Sequence, residues 1–199
     1  AVRVRDGALE SDFFEVTVAS CGAIDVLDKR TGQRYPGLNI FEDSGDAGDE
    51  YDYCPAGDGP IVTAGCAARV FVAERGPHVG SLRVEIPWQV PAALGRDRRS
   101  RSGERVALDI VTRVTLAGDA PYVAIRTRLE NAARDHRLRA LFPTGTKTDR
   151  VFAEGQYDVV RRHAWPRPTA HWYQPEAALH PQQGFVEVSD GARDRKSVV

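Results

Sequence analysis

The chain has 199 residues, 42% hydrophobic and 28% charged, with a formal net charge of -1. That length buries one sizeable core or two small ones. The balanced charge speaks against nucleic acid or another polyanion as partner, and no apolar stretch approaches membrane-spanning length.

Phe14, Val16 and Val18 alternate with Glu15 and Thr17, the period of a half-buried strand. Cys21 and Gly22 punctuate the chain, and residues 23–27 read as a second strand. Residues 28–32 form a turn, with Gly32 suited to positive φ.

Residues 37–60, GLNIFEDSGDAGDEYDYCPAGDGP, break that pattern. They carry Glu42, Asp43, Asp46, Asp49, Glu50 and Asp52, with Tyr51 and Tyr53 among them. With neither helical period nor strand length, and with many glycines, the stretch reads as a tight, shaped loop. Carboxylates this close repel unless a cationic or hydroxyl-rich group sits among them. Tyrosine amid acids suits a polyol such as a sugar, whose hydroxyls take hydrogen bonds while its apolar face meets a ring. The structural alternative is a solvated acidic loop. Calcium is disfavoured because the spacing of an EF-hand and its closing Glu are missing. A glycosidase acid–base pair needs a fixed carboxylate separation, which a flexible loop rarely supplies alone.

The β pattern resumes beyond Ile61. Residues 68–72 pair with residues 81–86 across a Gly-Pro turn, and Trp88 and Val90 extend that strand past an edge or bulge at Pro87. Residues 91–104 form the most basic stretch; with no aromatic interleaved, they read as a hairpin tip of solvated charge, not a phosphate patch. Residues 106–116 and 122–129 form a long hairpin, and residues 136–143 another strand. No window sustains a helical period. An all-β fold follows, an antiparallel β-sandwich.

A second concentration lies at residues 156–173, QYDVVRRHAWPRPTAHWY. Arg161 and Arg162 are multi-donor groups suited to carboxylates or sugar hydroxyls, and Trp165 and Trp172 are stacking platforms or core residues. A meeting of the acidic loop with this arginine pair is expected. None of the five histidines pairs with another His or a Cys at metal-binding spacing, so no metal is expected in this chain. The three cysteines show no CxxC spacing and read as reduced thiols of a cytoplasmic protein. Methionine is absent, which marks the chain as a piece of something longer.

Three stretches carry a resemblance: LDKRTGQRYPGLNIFEDSGDAGDEYDYCP, DHRLRALFPTGTKTDRVFAEGQYDVVRRH and HPQQGFVEVSDG. In this order they resemble glycoside hydrolase family 38, the α-mannosidases, and most closely the bacterial type that includes mannosylglycerate hydrolases. The resemblance implies a C-terminal β-sandwich region, similar to galactose mutarotase-like supersandwiches and here truncated. It also implies an upstream catalytic domain of the same polypeptide, with Zn²⁺ and an Asp nucleophile that retains configuration. The family places a tyrosine of this loop and an arginine of the second concentration near the sugar. Tyr51 is the matching tyrosine, and either Arg161 or Arg162 the arginine. Asp46, Asp49, Glu50 and Asp52 would support the loop. A mannoside substrate is implied, and the chain alone should be inactive. The rival is a free-standing, lectin-like carbohydrate-binding module.

The family pattern continues past the third stretch, whereas the last residues here, DRKSVV, are what a common sequencing-adapter string would encode. Residues 1–193 are therefore expected to be the β-sandwich domain and residues 194–199 a non-native tail.

Overall fold

The computed structural model describes residues 1–49, 51–165, 168, 169, 171, 179–190 and 194–198, the last five by backbone alone. Two compact units divide the chain, Ala1–Pro143 and Thr144–Val199.

The first unit opens with a five-stranded meander of β1 (Arg3–Arg5), β2 (Ala8–Glu10), β3 (Phe14–Val18), β4 (Ile24–Asp28) and β5 (Gln33–Leu38). Then come β6 (Ile40–Asp46), β7 (Pro55–Val62), β8 (Arg69–Arg75), β9 (Val79–Ile86), β10 (Gln89–Pro91), β11 (Arg105–Ala107), β12 (Ile110–Ala117), β13 (Ala124–Leu129) and β14 (His136–Leu141). They make a four-stranded sheet in the order β13-β12-β9-β8, a three-stranded sheet β14-β6-β7 and the hairpin β10-β11. Every ladder among the described residues is antiparallel. The sole helical element among them is a 3-10 turn at Thr63–Gly65, and no helix is long and apolar enough to cross a membrane.

Alternation decides which faces are buried. On β12, Ile110, Thr112, Val114 and Leu116 point inward while Arg113 stays in solvent. Ile110, Val114 and Leu116 join Leu82, Val84 and Ile86 of β9 and, from the meander, Leu9, Val16, Ile24 and Val26 in one core. Each such side chain contributes about 1.5–3 kcal/mol by leaving water. Thr112 is tolerated inside because its hydroxyl meets Thr127 Oγ1 at 3.0 Å and accepts from Asn39 Nδ2 at 3.3 Å.

The predicted hairpins appear in register: Val70 faces Val84, and Val114 faces Ile125. Residues 37–60 differ from expectation. Most of that stretch is strand, Ile40–Asp46 and Pro55–Val62, and the loop proper is only residues 47–54. Tertiary pairing overrides weak local propensity here. β14 supplies six partners to β6, from His136 opposite Gly45 to Leu141 opposite Ile40. Gly45 serves close approach within the sheet: a Cβ there would stand 2.5 Å from the Ala56 carbonyl oxygen.

In the second unit, β15 (Arg150–Glu154), β16 (Val159–His163), β17 (Phe185–Ser189) and β18 (Asp194–Val198) form a sheet in the order β16-β15-β17-β18. Residues 194–198, expected to be a foreign tail, pair with β17 from Ser189 opposite Asp194 to Phe185 opposite Val198. The coding DNA is what tests their origin.

Candidate functional site

The loop between β6 and β7 is cinched at its neck. Ala47 N donates to Cys54 O at 2.8 Å, while Asp46 Oδ1 accepts from Gly48 N at 2.9 Å and Cys54 N at 3.0 Å. Within the loop, Asp49 Oδ1 accepts from Tyr51 N at 2.9 Å and Asp52 N at 3.0 Å. Those two N–H donors hold the Asp49 carboxyl below its ordinary range. Gly48 is obligatory in this turn, because a Cβ there would fall 1.8 Å from Asp52 O. Asp46 and Asp49 thus act as loop supports through their side chains. Asp52 is exposed and contributes its N–H to the turn, and Glu50 lies outside the described residues.

The two tyrosines differ. Tyr51 is 85% exposed. Tyr53 lies against the sheet, where its hydroxyl donates to Ser44 Oγ at 3.3 Å and Arg137 stands over its ring, 3.5 Å from the centroid. The loop therefore presents one phenol outward and holds the other in place.

Sequence reading missed the charge that lies behind this loop. Asp43 is fully buried in β6, and Arg101 Nη2 reaches its Oδ2 at 2.5 Å. Arg101 is only 10% exposed, which corrects the expectation that the whole basic stretch is solvated. His136 Nδ1 meets the other oxygen, Asp43 Oδ1, and its Nε2 lies 3.0 Å from Asn131 Oδ1. Further out, Arg139 Nε donates to Glu42 at 3.1 Å. An acid-rich strand opposite an arginine-rich segment was the available signal, but the pairing spans 58 positions and has no local signature.

Arg161 and Arg162 are neighbours on β16 and so point to opposite faces of their sheet. Arg161 is exposed opposite Phe152; Arg162 is half-buried opposite Val151, and its Nε is buried with no hydrogen-bond partner among the described residues. They belong to the second unit and the Tyr51 loop to the first. Trp165 is 73% exposed, and Trp172 lies outside the described residues. Among the described residues no group of three or more His, Cys, Asp or Glu side chains is placed to hold a metal ion.

Residues 9–198 match the "Glycosyl hydrolases family 38 C-terminal domain". The chain belongs to that family. A "Putative mannosylglycerate hydrolase" of Halalkalibacterium halodurans is 31% identical over 198 residues, which is 92% of this chain and 22% of the relative. An α-mannosidase from Enterococcus faecalis V583 has a crystal structure that superposes with a TM-score of 0.87 at 28% identity, covering 96% of this chain and 23% of that one. A family 38 protein from Enterococcus faecalis gives a TM-score of 0.83 at 27% identity, over 96% and 24%. The family 38 domain described here thus spans less than a quarter of the length of these relatives.

Proposed function

We propose that this domain is the C-terminal β region of a larger retaining α-mannosidase and lends Tyr51 to its sugar site. One observation carries the reading: the loop holds Tyr51 outward while every described contact around it braces the backbone beneath. A hydroxyl so presented donates to, or accepts from, a mannosyl hydroxyl. Of the two arginines, exposed Arg161 is the better placed on its sheet to reach a sugar, while Arg162 turns toward the half-buried face.

Zinc and the nucleophile belong, on this reading, to an upstream domain of the same polypeptide. On this reading the part of the chain is to bind and orient the mannoside. The family membership and the small share of each relative that the chain spans support this division of labour.

The test is hydrolysis of an aryl α-mannoside by the chain alone and by the chain joined to its upstream sequence. The expected result is turnover only in the joined form. Zinc-dependent turnover by the chain alone would overturn the division. Saturable mannose binding by the isolated chain, with no upstream zinc domain in frame, would favour the lectin-like module.

A further inference from the structure

We propose that Arg101, Asp43 and His136 form a polar clamp that positions the loop carrying Tyr51. The inference rests on the reading that Tyr51 meets the sugar, but its own evidence is the geometry of the clamp. Asp43 is fully buried, and its carboxylate is divided between two elements: Oδ2 takes Arg101 Nη2 at 2.5 Å and Oδ1 takes His136 Nδ1. A buried carboxylate persists only where partners of this kind replace water.

The ring of His136 is read from its neighbours. Nε2 faces Asn131 Oδ1 at 3.0 Å, and that same oxygen accepts the Ala133 N–H at 3.1 Å, which marks it as the amide oxygen and not the nitrogen. Both ring nitrogens therefore face oxygen atoms, and the ring bridges Asp43 to the turn at Asn131.

The clamp grips the loop at its neck from two sides. Asp46 N donates to Asp135 O at 2.9 Å, beside His136. Arg98, in the same turn as Arg101, donates to Ala47 O at 3.2 Å and pairs with Asp135 at 3.6 Å. On the β7 side, Gly57 N donates to Arg99 O at 2.8 Å. The turn at residues 95–101 and the turn before β14 thus hold the loop's first residue, Ala47, and the flanking strand residues Asp46 and Gly57, with Asp43 as their common anchor. Arg101, Asp43 and His136 are positioning residues, since none of them is offered to a ligand.

The experiment uses the chain as it stands, with amide exchange. In Arg101→Met, the amides of Tyr51, Asp52 and Cys54 should exchange about tenfold faster or more, while those of β9 and β12 keep their rates. Arg101→Lys restores the charge without the fork and should recover part of that protection. Loop amides that only follow the core strands would overturn the clamp. The readout needs no catalysis. Failure here leaves the sugar reading standing, and an inert Tyr51→Phe in the joined enzyme leaves the clamp standing.

Discussion

The guanidinium of Arg137 stands 3.5 Å from the ring centroid of Tyr53, and this contact separates the two tyrosines of the loop. Tyr53 is clasped between that cation and Ser44, whereas Tyr51, two residues earlier, is 85% exposed. Removing the cation with Arg137→Met should cost about 0.5–2 kcal/mol, the range of a partly desolvated cation–π pair. Tyr53→Phe keeps the ring and loses one long hydrogen bond, so it should cost less, about 1 kcal/mol at most. Urea midpoints order the two, and a larger loss from Tyr53→Phe would contradict the packing role of the ring.

Asp49 gives the loop a dependence on acid. Its carboxyl is held below the ordinary range by the Tyr51 and Asp52 N–H groups, so it binds protons less readily folded than unfolded. Its stabilising contribution is complete above the unfolded value of about 3.9 and is lost as pH falls through the lower folded value. The amides of Tyr51 and Asp52 should therefore stay protected down to about pH 4 and lose protection below it. Asp49→Asn should remove that dependence. Loss already at pH 6 would assign the turn to another group.

Two glycines separate backbone strain from crowding. Gly32 has φ +71 with nothing within 4 Å of an added Cβ, while Gly57 has φ +86 and its Cβ would stand 2.7 Å from Arg101 Cγ. Both alanine variants meet the left-handed penalty of about 1–2 kcal/mol. Gly57→Ala should lose about 1–3 kcal/mol more, because Arg101 must move. Equal losses would show that Arg101 yields freely.

Where alternation was strong, the fold was legible. Val114 opposite Ile125 and Val70 opposite Val84 follow from period-2 patterns and Gly-rich turns. Residues 40–46 and 55–60 were not legible as strands, because acids and glycines hide them and the pairing of β6 with β14 and β7 decides the matter. Asp46 and Asp49 stood among the acids named for the loop, but that each accepts backbone N–H groups within it is read only from the structure. Arg101 could not: a basic run looks alike whether it faces water or a carboxylate 58 positions away. Asp43 stood in plain view among the acids, yet only burial distinguishes it from them.

The most direct measurement is kcat/KM for an α-mannoside with Tyr51→Phe and Tyr53→Phe in the full-length enzyme. Tyr51→Phe deletes a hydroxyl on an 85% exposed ring, so the fold should survive. The account predicts a loss of about ten- to a hundredfold for Tyr51→Phe, equivalent to about 1–3 kcal/mol of transition-state stabilisation. Tyr53→Phe should leave kcat/KM nearly unchanged. An unchanged kcat/KM in Tyr51→Phe, with a loss in Tyr53→Phe or in neither, would contradict the assignment of Tyr51 to the sugar.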